Sequence, residues 1–193
     1  ATEDVALMRA IPNMTVLDPC DAVDIEQMTP AMLAHSGPVY MRLLRGQVPR
    51  VLDEYNYQFE LGKAKMLRDG RDVLFISTGL LTMRALEAAS ELQKHSVDAG
   101  VLHVPTIKPL DVETIVAACR KEGRLVVIAE NHTTVGGLGE AVALALIKAR
   151  VMPTLQHIAL PDQFLDAGAL PTLHDRYGIS AERIVASVKG WLG

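Results

Sequence analysis

Aromatic residues are scarce in this chain: Phe, Trp and Tyr make up only 4% of its 193 residues. The core must therefore be built from Ala, Val, Leu, Ile and Met, although hydrophobic residues as a whole reach 49%. That composition is typical of α/β proteins, in which buried strands alternate with Ala/Leu-rich helices. The length suits one ordinary domain, or one domain and a piece of another.

Excess charge and long apolar runs are also absent. The formal net charge is −4 and no basic stripe or Lys/Arg run is present, which argues against a nucleic-acid partner. The longest apolar run, residues 141–147, is far too short to span a bilayer. The sequence therefore predicts no nucleic-acid partner and no membrane partner.

Cysteine is nearly absent, and no metal-ligand pattern is present. The two cysteines, Cys20 and Cys119, lack metal-ligand spacing, so we expect buried thiols in a reducing compartment. The six histidines are scattered and none forms a His-x-x-x-His pair. We therefore expect a cytoplasmic protein whose own residues form no metal site.

From residue 71 onward, buried strands alternate regularly with helices. The predicted strands lie at 73–77, 99–104, 125–129 and 154–160. The predicted helices lie at 80–95, 110–121 with Asp111 as its cap, 137–150 and 181–192, with shorter ones at 162–167 and 170–177. Crossovers of this length require a mostly parallel sheet with helices on both faces. The pattern thus predicts a three-layer α/β/α domain over residues 71–193.

The first 46 residues read as about half of another α/β domain. The pattern predicts helices at 3–11 and 22–35, the second capped by Asp21, and strands at 14–17 and 39–44. So short a stretch buries too little surface to fold alone. Because no initiator Met or leader precedes it, we expect the chain to continue from something longer.

Residues 47–70 are predicted to connect the two parts. Their prolines, acidic residues and Asp69-Gly70 interrupt any long element. The pattern allows an edge strand at 57–61, followed by a hairpin return or a short helix at 63–68.

The segment around residues 124–150 is the densest in polar and glycine signals. Glu130 and His132 follow the strand predicted at 125–129, and Gly136, Gly137 and Gly139 open the next helix. The glycines favour close helix–sheet packing or an interface over nucleotide binding, because GGLGEA lacks the full dinucleotide fingerprint. Glu130 and His132 are expected in an exposed loop, where they act as a hydrogen-bonded anchor or, alternatively, as an acid–base pair.

The N-terminal segment resembles a known family. Its residues TEDVALMRAIPNM (2–14), followed by Val16, Pro19 and Asp21, are similar to the second half of the pyrimidine-binding domain in transketolase-type enzymes. This thiamine-diphosphate-dependent family includes transketolase, deoxyxylulose-phosphate synthase and the β subunits of pyruvate-dehydrogenase-type complexes. Residues 71–193 resemble the family's C-terminal domain, including Glu130 and the three glycines. Residues AIPNM (10–14) and LRGQ (44–47) favour transketolase over its relatives.

The resemblance implies an enzyme that transfers a two-carbon ketol unit between sugar phosphates. It implies thiamine diphosphate and Mg²⁺ or Ca²⁺ as cofactors of the intact enzyme, with none bound to this chain alone. In the family's pattern, the activating glutamate, the stacking aromatic residues and the histidine of a Thr-His-Gln-like motif precede Ala1, and the metal belongs to an N-terminal domain. We therefore expect no catalytic residue here, an inactive isolated chain, and a partner section that completes a homodimer or heterotetramer.

Two arginines are the candidate substrate-binding residues. Arg45 is similar to the transketolase arginine that holds the sugar phosphate, and Arg42 is similar to one in deoxyxylulose-phosphate synthases. A guanidinium suits phosphate because it binds in a bidentate way and stays charged. The alternative is that either arginine only pairs with a carboxylate where the two parts of the chain meet.

Three alternatives stay open at this point. The chain could be a non-catalytic assembly module, since its apolar helices suit dimer contacts, or the C-terminal portion of a deoxyxylulose-phosphate synthase or a 2-keto acid dehydrogenase β subunit. A nucleotide-binding domain rests only on Gly136, Gly137 and Gly139.

Overall fold

A computed structural model describes residues 2–44, 46 and 48–193. In that part of the chain, helices and strands alternate along most of the length. The strands are β1 (Thr15–Leu17), β2 (Val39–Met41), β3 (Lys65–Arg68), β4 (Val73–Ser77), β5 (Ala99–His103), β6 (Thr106–Lys108), β7 (Leu125–Thr133) and β8 (Leu155–Leu160). The helices are α1 (Asp4–Ala10), α2 (Ala22–Ala34), α3 (Leu80–Lys94), α4 (Val112–Cys119), α5 (Leu138–Lys148), α6 (Leu170–Arg176) and α7 (Ala181–Leu192), with a 3₁₀ turn at Leu52–Tyr55.

The larger sheet has five strands in the order β3-β5-β4-β7-β8. All pairings are parallel except that of β3 with β5, which is antiparallel. Alternate residues of β4 enter two separate cores: Val73 and Phe75 pack with α3 and α7 on one face, and Leu74 and Ile76 pack with α4 and α5 on the other. The predicted three-layer α/β/α architecture is confirmed.

A second, three-stranded sheet has the order β2-β1-β6. β1 and β2 come from the first 46 residues and are parallel, whereas β6 comes from residues 106–108 and is antiparallel to β1. The sequence did not predict β6, which is three residues long and flanked by Pro105 and Pro109. Lys108 Nζ also donates to the carbonyl oxygens of Arg9 and Ile11, at 2.9 and 2.6 Å. The N-terminal segment is therefore joined to the rest through backbone pairing as well as side chains.

Acidic side chains fix the start of two helices as their positions predict. The Asp21 carboxylate accepts from the Val23 and Asp24 amides at the N-terminus of α2, and Asp111 accepts from the Thr114 amide at α4. Asp21 Oδ2 also accepts from the amides of Val51 and Leu52, which holds the connecting segment against α2.

Three local predictions are wrong. The edge strand lies at Lys65–Arg68 rather than at 57–61, because it pairs with β5 across the sheet. Residues 162–167 form no helix; the first helix after β8 is α6. β7 continues to Thr133, so Glu130 and His132 are buried within a strand rather than exposed in a loop.

Within residues 2–44, 46 and 48–193, no helix has the length and apolar character that a membrane span requires. Both cysteines are free thiols in buried positions.

Candidate functional site

Arg42 follows β2 and is buried where the two sheets approach each other. Its Nε donates to Asp4 Oδ2 at 3.0 Å, and its Nη1 donates to the Asn131 carbonyl oxygen at 2.7 Å. A second carboxylate, Asp18 Oδ2, lies 4.0 Å from Nη1. The guanidinium thus links α1, β7 and the end of β1, in the seam where the sequence allowed a carboxylate partner.

The two carboxylates beside Arg42 differ in their titration. Burial raises the pKa of Asp18 to about 6, although the nearby Arg42 charge opposes that rise. Burial also disfavours the ionised form of Asp4, but a hydrogen bond from the Tyr40 hydroxyl at 2.6 Å and the charge of Arg42 leave its pKa lowered. Asp4 therefore carries the negative charge that neutralises Arg42, while Asp18 is the group that can change protonation near pH 6.

A cleft of about 380 Å³ opens beside this ion pair. Its polar lining includes Thr2, Asp4, Tyr40, Arg42, Asn131, Asp166 and Tyr177; its apolar wall comes from Leu43, Leu44, Leu160, Leu165, Leu170 and Leu173. His174 also lines the cleft, and burial followed by the charge of Arg84 lowers its pKa. At neutral pH His174 is therefore an uncharged hydrogen-bonding group, and among the described lining residues Arg42 is the cation.

Arg45, the other predicted substrate-binding residue, lies outside the described residues. Arg42, three positions earlier in the sequence, directly follows β2 and lines the cleft. The Arg42 hydrogen bond to the Asn131 carbonyl oxygen links it to the second half of β7 in the larger sheet, and in open α/β sheets ligands bind outside the carboxyl ends of the strands.

Glu130 holds the N-terminus of α5. Its Oε2 accepts from the Leu138 amide at 2.7 Å, and its Oε1 accepts from the Gly139 amide at 2.8 Å and lies 2.8 Å from His157 Nε2. A negative charge is stabilised there by the unpaired amides of the helix and by its dipole. Because Glu130 fills the position that a phosphate would need, these contacts support packing over nucleotide binding.

The glycines allow this approach. A Cβ at Gly137 would overlap the Glu130 carboxylate, and a Cβ at Gly139 would overlap the His157 ring. Gly136 has a φ of +76° and lies against Ala6 of α1. Arg9 Nη1 donates to the carbonyl oxygens of Gly136 and Gly137, so the loop also anchors the N-terminal helix.

His132 does not pair with Glu130. Its Nε2 lies 3.3 Å from the Ala6 amide, which donates to it, and its Nδ1 lies 2.9 Å from the Thr133 carbonyl oxygen. Both ring nitrogens therefore have backbone partners, as expected for an anchor and not for an acid–base pair. The glutamate's actual partner, His157, was missed by the sequence reasoning because it lies on the next strand.

A row of fully buried, hydrogen-bonded polar side chains connects the N-terminal segment with the larger α/β domain. His103 Nε2 lies 2.9 Å from Asp24 Oδ2, and His103 Nδ1 lies 2.8 Å from Thr82 Oγ1. Ser77 Oγ donates to Thr82 Oγ1 at 3.1 Å. All four side chains are inaccessible to solvent, so this hydrogen-bonded row is a structural link and not a reactive centre. The sequence predicts a strand at His103 but carries no signal for its partner Asp24, which is 79 positions away.

Among the side chains that the structure describes, no group of three or more His, Cys, Asp or Glu residues could hold a metal ion. The residues present also offer no open helix terminus at Glu130 for a diphosphate. These described residues therefore do not fit a metal–diphosphate group on their own.

Two family models match the chain in succession. The model described as the transketolase pyrimidine binding domain matches residues 1–50. The model described as the transketolase C-terminal domain matches residues 62–184.

Similar proteins carry related names. A transketolase family protein of Sinorhizobium fredii is 68% identical over 193 residues, which cover 100% of this chain and 56% of that protein. The 6-deoxy-6-sulfo-D-fructose transketolase subunit SqwH of a Clostridium species is 43% identical over 183 residues, which cover 95% of this chain and 56% of that subunit. A 1-deoxy-D-xylulose-5-phosphate synthase of a Synechococcus species is 31% identical over 192 residues, which cover 98% of this chain and 29% of that enzyme. The chain thus spans about half the length, or less, of these curated relatives.

A solved structure has the same fold. It is a split gene transketolase in an inactive beta4 tetramer, with a TM-score of 0.88 and 37% sequence identity. The similarity covers 98% of this chain and 61% of that one.

Proposed function

Because this chain belongs to the transketolase family, we propose that it is the C-terminal part of a two-part enzyme that transfers a two-carbon ketol unit between sugar phosphates. The observation that carries this proposal is the succession of the two family matches, pyrimidine-binding at 1–50 and C-terminal at 62–184. The similarity to a protein named as a transketolase subunit, and to a split gene transketolase, supports the two-part arrangement.

We assign thiamine diphosphate, with Mg²⁺ or Ca²⁺, to a site completed by an N-terminal partner section. When bound, thiamine diphosphate stabilises the carbanion through which ketol groups are transferred. The lack of fit between the described residues and a metal–diphosphate group supports this division. The chain is then inactive alone and works in a homodimer or heterotetramer with its partner section.

The chain's own contribution is to hold the phosphate of the sugar substrate. We propose Arg45 as the first phosphate ligand, since a guanidinium binds phosphate in a bidentate way. Arg42 ranks second, because Asp4 and the Asn131 carbonyl already occupy its Nε and Nη1. From there it can orient the segment carrying Arg45.

Titration of thiamine diphosphate tests where the cofactor is held. We expect no saturable binding by this chain alone and binding once the N-terminal partner section is added, both measured calorimetrically in the presence of Mg²⁺. Ordinary cofactor affinity in the chain by itself would contradict the proposed division.

A second candidate function is that of a deoxyxylulose-phosphate synthase portion, favoured by the 31% identity to the Synechococcus enzyme. In that case, as in that of a 2-keto acid dehydrogenase β subunit, the assembled enzyme would use a 2-keto acid as its donor. Donor choice separates these functions: a ketose phosphate donor supports ketol transfer, whereas CO₂ release from a 2-keto acid reassigns the assembly.

A further inference from the structure

A second pocket, of about 520 Å³, lies at the other end of β7 from the Arg42 cleft. It is lined by the last residues of α7, the turn that follows α4, the first residue of β7 and the segment that enters β8. Arg42 contacts Asn131 of β7, whereas Leu125 of the same strand lines this pocket, so roughly 20 Å of strand separates the two. The pocket is therefore separate from the cleft, and its volume suits a small molecule.

The lining of this pocket carries an excess of positive charge. Its cations are Arg120, Lys121 and Arg124, and Glu122 is the carboxylate among its described lining residues. Lys121 and Arg124 both pair with Asp69, at 3.7 and 3.4 Å, so two cations share one carboxylate. Within the described part of the chain, Arg120 is exposed and forms no ion pair. Its guanidinium is thus free to bind an anion in a bidentate way.

Arg124 is the buried cation of the pocket, with its side chain only 2% exposed. Its Nη1 donates to the Gly70 carbonyl oxygen at 2.9 Å, and its Nη2 donates to that of Ala118. Because Ala118 lies in the last turn of α4, the second contact offsets the negative end of that helix dipole. Arg124 Nε has no partner among the described residues. The buried charge is therefore only partly compensated, and an anion in the pocket would stabilise it.

The remaining wall of the pocket is apolar. Trp191 and Leu192 of α7 are 54% and 46% exposed, and Met152 is 82% exposed. All three side chains line the pocket. A large, half-exposed indole beside a flexible thioether offers a surface on which a planar ring can stack. The pocket thus combines a surface for a ring with cations for an anionic group.

We propose that this pocket binds a purine nucleoside monophosphate, with the base on Trp191 and the phosphate on Arg120. A purine has the larger stacking face of the two base types, and stacking on an aromatic side chain adds substantially to affinity. The backbone amides of Glu122 and Gly123 have no acceptor among the described residues, so they can donate further hydrogen bonds to the phosphate. Because the excess of cations is small, a monophosphate fits better than a triphosphate.

This inference goes beyond the proposed function and does not depend on thiamine chemistry. Its tests measure binding to this chain directly, so their failure leaves ketol transfer by the assembled enzyme intact as a hypothesis.

Trp191 fluorescence tests the site, because Trp191 is the single tryptophan of the chain. AMP or GMP should quench its emission saturably, with half-saturation below about 1 mM. Adenosine, which lacks the anion, and ribose 5-phosphate, which lacks the ring, should each bind at least about 10-fold more weakly. No saturable quenching by either nucleotide, or equal affinity for ribose 5-phosphate, overturns the proposal.

Calorimetric titration of AMP into variants tests the phosphate contact. R120A should weaken binding by about 10-fold or more, since a charged hydrogen-bond donor to the phosphate is lost. R50A is the matched control, because Arg50 is another arginine at the surface and does not line the pocket. Equal affinities of R120A and R50A would rule out Arg120 as the phosphate ligand and overturn the proposal.

The Glu122 carboxylate gives a prediction of opposite sign. E122Q removes a negative charge beside the phosphate, so AMP should bind about 2- to 3-fold more tightly. Weaker binding by E122Q than by the unchanged chain would contradict an anion at this position.

Substitution of Trp191 tests the stacking contact. W191A should weaken AMP binding by about 10-fold, whereas W191F, which keeps an aromatic face, should stay within about threefold of the unchanged chain. Circular dichroism confirms that both variants are folded. If W191F binds AMP as weakly as W191A does, base stacking at Trp191 is wrong.

Discussion

At the residue scale, Arg42 is a buried cation beside two carboxylates of different character. Asp4 accepts a hydrogen bond from Tyr40 and one from Arg42, whereas Asp18 lies 4.0 Å from the guanidinium. Among the described residues, Arg42 is the arginine that faces both acids, and Asp18 is fully buried, so ionising Asp18 costs free energy in the folded state. The same geometry keeps Arg42 fixed at the edge of the cleft.

The raised pKa of Asp18 makes stability depend on pH in a defined direction. Its pKa is about 6 in the folded chain and about 4 when unfolded, so the folded state binds the proton more tightly. Asp18 therefore lowers the free energy of unfolding as pH rises from about 4 to about 6. D18N removes this effect. We therefore expect the free energy of unfolding of D18N, relative to that of the unchanged chain, to rise by about 1 to 3 kcal/mol between pH 4 and pH 6.

Urea unfolding at pH 4 and pH 7 measures this difference. D53N is the control, since Asp53 is exposed and pairs with Arg50 at the surface. A difference between D18N and the unchanged chain that does not vary with pH would show that Asp18 does not titrate as described.

Arg45 is the residue on which substrate affinity should depend. In the enzyme assembled with its partner section, R45A should raise KM for the sugar phosphate by about 10- to 100-fold, because a charged hydrogen-bond partner of the phosphate is lost. The kcat value should change much less. R50A is the control, because Arg50 is exposed and pairs with Glu26 and Asp53. Equal KM values for R45A and R50A would exclude a phosphate contact.

At the element scale, α5 depends on Glu130 for its start. E130A removes the acceptor of two helix amides and leaves them buried, so we expect a loss of about 3 to 4 kcal/mol in the free energy of unfolding. E130Q keeps one carbonyl oxygen and should lose about half as much. Chemical denaturation compares the two, and an E130A chain as stable as the unchanged one would refute the capping role.

The elements that the sequence predicted are those whose signals are local. Asp21 and Asp111 mark helix starts because their carboxylates bond amides two or three residues away. β4 and β7 are recognisable because both faces are buried, which requires a continuous apolar run.

The missed features depend on partners far along the chain. β6 is a strand only because β1 is beside it, and its three residues between prolines carry no periodic signal. Glu130 is polar yet buried, because the α5 amides and His157 satisfy its oxygens. The cleft at Arg42 likewise combines side chains from distant segments. The domain boundaries at 46 and 71 stay a prediction.

At the scale of the whole molecule, β6 and the Asp24–His103 contact make the two sheets interdependent. We expect one cooperative unfolding transition, with coincident midpoints by Trp191 fluorescence and far-UV circular dichroism. I107A should lower both midpoints together, since Ile107 is buried in β6 and its truncation costs about 2 to 5 kcal/mol. V112A, at a half-exposed position, should cost far less. Two separate transitions would mean that the N-terminal segment unfolds on its own.

The most direct test of the central claim is the rate of ketol transfer from a ketose phosphate to an aldose phosphate, with thiamine diphosphate and Mg²⁺ present. It is measured for this chain alone, for the N-terminal partner section alone and for their mixture. We predict turnover only in the mixture and only with thiamine diphosphate. Turnover by this chain with no added protein, or none in the mixture with any sugar phosphate pair, would contradict the account.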